Sequence, residues 1–176
     1  MANSFEYQVI KDTTEHAVIK LTGKFTEATQ ESNHQRIMAN TLSGALATNG
    51  YPVANTHGGA ANTKLDYYGL AVNRVWYDCS TDGDIQLFWD ANTWRTIMLL
   101  NGNGEYDGMG NWTTIPNDAK DTTGCLGDIG IQTRGMIANS SYTIVIELRK
   151  ENEYYSRGQF RDPAAFNYGD YALEPR

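Results

Sequence analysis

The hydrophobic and polar positions of this chain alternate more often than they cycle. In FEYQVIKDTTEHAVIKLTGKF, Phe5, Tyr7 and Val9 alternate with Glu6 and Gln8. After KDTTEH, Ala17, Ile19 and Leu21 alternate with Lys20 and Thr22. A period of two with one apolar face predicts half-buried strands, here a pair around a short turn. The stretch ESNHQRIMANTLSGALATNG reads two ways. Ile37, Met38, Leu42 and Leu46 fit one helical face that Gly50 would end, whereas QRIMAN also fits a strand. A strand followed by a short turn or helical piece is the favoured expectation. NGYPVANTHGGAANTK then reads as a loop, rich in Gly and Asn.

The strand signal strengthens from there. LDYYGLAVNRVWYDC is long and β-rich, with Tyr68, Leu70, Val72 and Trp76 assigned to one face. In IQLFWDA, Ile85, Leu87 and Trp89 alternate with Gln86 and Asp90. Asp82-Gly83 between these two runs predicts a hairpin. RTIMLLNG adds a strand, NGNGEYDGMGN a loop, and GDIGIQTRGM turns at IANSS into YTIVIELRKEN. Tyr142, Ile144, Ile146 and Leu148 occupy one face of that last run, and Val145 makes the other partly apolar, as in a central strand. Short strands at close spacing, without a competing helical period, predict an all-β antiparallel sandwich or jelly roll with extended N- and C-terminal segments. The expected division is a β-domain at 1–150 and an extended aromatic arm at 151–176.

Composition narrows the partners. The chain has 176 residues, 40% hydrophobic and 20% charged, enough for one domain with a real core. Its net charge is −7, and the basic residues are scattered, which argues against nucleic acid as a partner. No apolar run approaches the roughly 18–20 residues that cross a bilayer, so no membrane partner is expected. MANSFEYQVIKD lacks the layout of a signal peptide, which predicts synthesis and folding in a cytoplasm. Cys79 and Cys125 are too few for a disulfide framework. Trp89 and Trp94 lie between them in immunoglobulin fashion, but Thr123 stands where that pattern has Tyr, and no native disulfide is expected.

Catalytic chemistry is sparse. His16, His34 and His57 have no neighbour at metal-binding spacing. THGGA has the flavour of an esterase oxyanion loop, but the chain has no G-x-S-x-G. GNGEYDG at 102–108 carries one residue too many for a dinucleotide loop, and no helix is expected to follow it. Asn103, Glu105 and Asp107 offer oxygen ligands at alternate positions. Counted from Asn103, however, Thr114 stands where an EF-hand needs Glu, and TDGD at Thr81–Asp84 is no better a cation site. The expectation is a protein that is not an enzyme, with no cofactor and no metal.

The C-terminal stretch differs from a solvated tail. From Glu151 it carries Tyr154, Tyr155, Phe160, Phe166, Tyr168 and Tyr171, with Pro163 and Pro175 as stiffeners. Each buried ring contributes about 4–6 kcal/mol, and ordering about twenty residues costs on the order of 30 kcal/mol. Six rings offset that cost only if nearly all are buried. A small β-domain has little spare surface for them, so these six residues are the expected partner-binding side chains.

FEYQVIKDTTEHAVIKLTG, NGNGEYDGMGNWTTIPNDA and YYSRGQFRDPAAFNYGDYAL resemble a family of virion structural proteins from marine tailed phages, cyanophages in particular. The likeness runs over most of the chain and carries no catalytic motif. It implies a particle component, foremost a capsid cement or decoration protein on the capsid surface. Its partners would be the major capsid protein and neighbouring copies of itself, a homotrimer being one arrangement. A tail or neck component is the first alternative. The second is a carbohydrate-binding jelly roll that stacks sugars on Trp94 and Trp112.

Overall fold

The computed structural model describes residues 3–43, 70–108, 114–119, 125 and 127–150. They form ten strands and one turn of 3-10 helix at Ala39–Thr41. The strands are β1 (Ser4–Asp12), β2 (His16–Lys24), β3 (Ser32–Ile37), β4 (Leu70–Cys79) and β5 (Asp84–Trp89), then β6 (Arg95–Leu100), β7 (Asn103–Tyr106), β8 (Ile115–Pro116), β9 (Ile129–Arg134) and β10 (Ser141–Lys150). The fold is all-β, as the alternation predicts. Among the described residues no helix is long and apolar enough to cross a membrane.

Two antiparallel sheets share one core. The first runs β1-β2-β10-β4-β7, with β8 also on β4; the second runs β3-β9-β5-β6. The pairings are nested along the chain: β2 with β10, β3 with β9, β4 with β7, and β5 with β6. A ribbon of such pairs rolls up when β10 meets β4 and β9 meets β5. Ile19, Leu21, Val75, Ile144 and Ile146 from the first sheet pack with Ile37, Ile85, Leu87 and Ile131 from the second. Among the described residues, Trp89, Tyr142 and Phe25 are the largest fully buried side chains.

The nesting corrects the hairpin expected at Asp82-Gly83. The turn is there, but β4 lies in the first sheet and β5 in the second, so Ser80–Gly83 is a crossing between sheets. The return crossing from β9 to β10 packs against it. A Cβ on Gly83 would lie 2.3 Å from the Arg134 carbonyl oxygen, so only glycine fits this approach. The Ser80 N–H donates to the Ser141 carbonyl at 2.9 Å, and the Ser141 N–H donates to Ser80 Oγ at 2.9 Å.

Two further expectations change. The register slips at Asn73: Glu147 faces Arg74 while Leu148 faces Val72. The extra residue flips the parity, so Leu70 and Val72 share the inner face with Val75 and Cys79, and Trp76 falls outside the core cluster. The Asn73 side chain donates to Glu147 Oε1 at 2.8 Å. The glycine-rich loop also contains a strand. β7 pairs along Val75–Asp78, and β8 takes the Ala71–Val72 side of the bulge. Asn103 and Gly104 have little strand preference; the open edge of β4 recruits them.

Among the described residues, a polar link joins the two sheets inside the core. Glu31 is fully buried, and the Tyr142 hydroxyl donates to its Oε2 at 2.5 Å. The Glu31 N–H donates to Thr133 Oγ1 at 2.7 Å, and the Thr133 N–H donates back to the Glu31 carbonyl at 2.9 Å. Burial first, then the Glu31 charge and hydrogen bond, pushes the Tyr142 hydroxyl well above its ordinary value. Cys79 and Cys125 are buried free thiols. Burial and the nearby Asp78 charge push Cys79 up to about 12.

Tyr142 sits opposite Gly23, and a Cβ there would lie 2.3 Å from its ring. Gly23→Ala is expected to cost about 1–3 kcal/mol by overpacking, read from urea unfolding; unchanged stability would contradict this seat for the ring. The thiols set an alkaline limit. From about pH 8.5 an unfolded thiol loses its proton while folded Cys79 keeps it, so stability falls as pH rises toward 12. The urea midpoint should drop between about pH 8 and pH 10.5, and less steeply in Cys79→Ala.

Candidate interaction surface

The six aromatic residues expected to bind a partner, Tyr154, Tyr155, Phe160, Phe166, Tyr168 and Tyr171, lie outside the described residues. The structure does describe the base from which that stretch departs. The alternation of β10 runs Tyr142, Ile144, Ile146, Leu148 and then Lys150 on the buried face. A lysine at that position must find acceptors inside, because burying an unpaired ammonium is prohibitive. Its Nζ donates to Asp12 Oδ1 at 2.5 Å, to the Thr13 carbonyl at 2.6 Å and to the Ser43 carbonyl at 2.7 Å. All three ammonium protons are thus used.

The same residues bind each other. The Ser43 N–H donates to Asp12 Oδ2 at 2.7 Å, and the Lys150 N–H donates to the Glu15 carbonyl at 2.7 Å. Thr13 closes the β1–β2 turn: its N–H donates to the His16 carbonyl at 2.8 Å, and its Oγ1 accepts from the His16 N–H at 3.1 Å. The end of β10, the turn and the segment at Ser43 therefore form one corner. Sequence reading passes over Lys150. The available signal is the β10 alternation extended one step onto a charged residue.

Beside this corner lies the outer strand of the first sheet. Phe5, Tyr7 and Val9 stand opposite Gly23, Leu21 and Ile19, so they share the inner face. Phe5 packs edge-on against Phe25, with centroids 5.6 Å apart. Tyr7 and Val9 nevertheless remain 41% and 46% exposed, and Ile10 is 53% exposed. The second sheet has four strands on its path against five, and β1 ends the longer path.

The other sequence candidates do not converge. His16 Nδ1 lies 3.8 Å from Glu147 Oε1; His34 lies in β3, and His57 lies outside the described residues. Among the described residues no group of three or more His, Cys, Asp or Glu is placed to hold a metal ion. Asn103 and Glu105 belong to β7. At the Thr81–Asp84 crossing, Asn101 Nδ2 donates to the Gly83 carbonyl at 2.8 Å and lies 3.3 Å from Asp84 Oδ1, so protein donors already serve these oxygens. Trp94 stacks on buried Phe88 at 4.1 Å, which covers one face of its ring; Trp112 lies outside the described residues. A shallow depression of about 440 Å³ on the outer face of the first sheet is lined by Lys11, His16, Val18, Asn73, Glu147 and Arg149. No protein-family model, curated protein or solved structure matches the chain.

Lys150 has a fully buried side chain, and Asp12 is 21% exposed. Lys150→Met should destabilise the domain by about 2–4 kcal/mol, because it strands a carboxylate and two carbonyls. Adding Asp12→Asn should recover part of that loss. A single variant within about 0.5 kcal/mol of the parent in urea unfolding would contradict the clamp.

Proposed function

We propose that this protein is a non-enzymatic structural component of a virus particle, a cement protein that binds the capsid surface through residues 151–176. The observation that carries the reading is the clamp at Lys150. The aromatic stretch continues from a central strand whose last side chain is locked into the body of the domain. A load applied to such an arm is passed to β10 and the β1–β2 turn rather than to a loose loop.

Three features support the reading. The likeness to virion structural proteins of marine tailed phages points to a particle. The strand order suits a jelly roll: setting aside β1 and β8, the remaining eight pair as first–eighth–third–sixth and second–seventh–fourth–fifth. That architecture recurs in viral shells as well as in lectins. The net charge of −7 suits a protein that meets other proteins on an outer shell rather than the packaged DNA. On this reading each copy makes weak contacts with the major capsid protein and with neighbouring copies, and linkage through the lattice raises their effective concentration.

Truncation after Lys150 tests the reading. The expected product is a folded, soluble domain that no longer co-sediments with the particle. Loss of the fold on truncation would instead assign the aromatic stretch to the chain's own core. Replacing Phe160 and Phe166 together with Ala should reduce particle binding at unchanged melting temperature. A copy number matching the symmetry of the shell supports a cement role; a single ring's worth of copies would move the protein to the tail or neck.

A further inference from the structure

We propose that β1 is a self-pairing edge, through which two copies of this chain join their first sheets antiparallel about a two-fold axis centred on Tyr7. Among the described strands β1 is the end of its sheet and has β2 as its one neighbour. Three of the seven large exposed hydrophobics among the described residues, Tyr7, Val9 and Ile10, are consecutive or alternate residues of this strand. A long apolar edge of this kind is a template for another strand.

The occupant follows from the pattern. Phe5-Glu6-Tyr7-Gln8-Val9 reads apolar-polar-apolar-polar-apolar, the same in both directions about Tyr7. In an antiparallel pair centred there, Tyr7 meets Tyr7, Phe5 of one copy meets Val9 of the other, and Glu6 meets Gln8. Every apolar side chain stays on the inner face, and no two like charges stand opposite each other. A centre one residue later, on Gln8, would set Glu6 against Ile10 and Phe5 against Lys11. The strand also limits the match. Its register slips between Val9 and Lys11, so the regular ladder ends at Val9.

Five paired residues make a ladder only about 17 Å long, too short to bury the roughly 1,000 Å² of a stable dimer. The contact is therefore weak in dilute solution and gains strength where copies are held side by side. It does not use residues 151–176, and it is measured on the purified chain without any particle. Its failure and that of the cement reading can thus be told apart.

The test is covalent trapping in the full-length chain. Cys79 and Cys125 are buried, so an introduced surface thiol is the reactive one. Under diamide, Tyr7→Cys should form a disulfide dimer at least about tenfold faster than Gln8→Cys, because only residue 7 lies directly opposite its own copy within disulfide reach. Glu6→Cys mixed with Gln8→Cys should give the mixed dimer in preference to either homodimer. Adding Val9→Lys to Tyr7→Cys should remove the rate advantage. Equal rates at positions 7 and 8, or no dimer at either, would overturn the proposal. The second outcome is the one expected if another strand, including one from residues 151–176, already covers this edge.

Discussion

Strand β10 holds the structure closed. It is the only described strand that joins the first half of the ribbon to the second within the larger sheet, with β2 on one side and β4 on the other. Its inner face carries Tyr142, Ile144, Ile146 and Leu148, all buried in the shared core. Hydrophobic burial is non-directional and fixes no register by itself; the period of two in β10 does, because a slip of one residue would turn that entire face outward. The Tyr142–Glu31 hydrogen bond then links this strand to the β9 side of the core, where Glu31 and Thr133 exchange bonds.

The polar ends of β10 follow from the same parity. Ser141 begins at the crossing from the second sheet, where its contacts with Ser80 bring the two inter-sheet connections together. Lys150 ends on the buried face and meets three oxygens of the β1–β2 corner. A strand that finished one residue earlier would leave Asp12 Oδ1 and two carbonyls without the Lys150 ammonium, and one that finished on an apolar residue would leave the corner unpinned. The clamp thus couples the closing of the roll to the place where the aromatic stretch begins.

Much of this was legible in the sequence. The alternation of Phe5–Val9, Ala17–Leu21, Ile85–Trp89 and Tyr142–Leu148 placed four strands and most of the core, because burial on one face of a pleated strand leaves a direct trace in residue type. What escaped depends on the partner strand. Asp82-Gly83 encodes a turn but not which sheet the chain enters next. The bulge at Asn73 leaves no mark in local pattern, so alternation alone puts Trp76 on the wrong face. Asn103–Tyr106 has poor strand propensity and becomes β7 because β4 offers an open edge. At the candidate surface the apolar residues of β1 were visible, but the place of β1 at the end of its sheet is set by strand pairing, which local pattern does not carry. Lys150 carries no mark of its role in the sequence, because its acceptors include two backbone carbonyls, which any residues could supply.

The proposed function divides the labour between the β-domain and an aromatic stretch that would attach it to a partner. Six rings offset the cost of ordering their segment only when nearly all are buried, so the surface that receives them decides the role of the protein. The most direct measurement is a reconstruction of the assembled particle at a resolution that traces side chains. The account predicts this domain on the shell, with density for residues 151–176 leaving Lys150 and lying on a neighbouring subunit. Density for the same residues lying wholly on their own domain would contradict it.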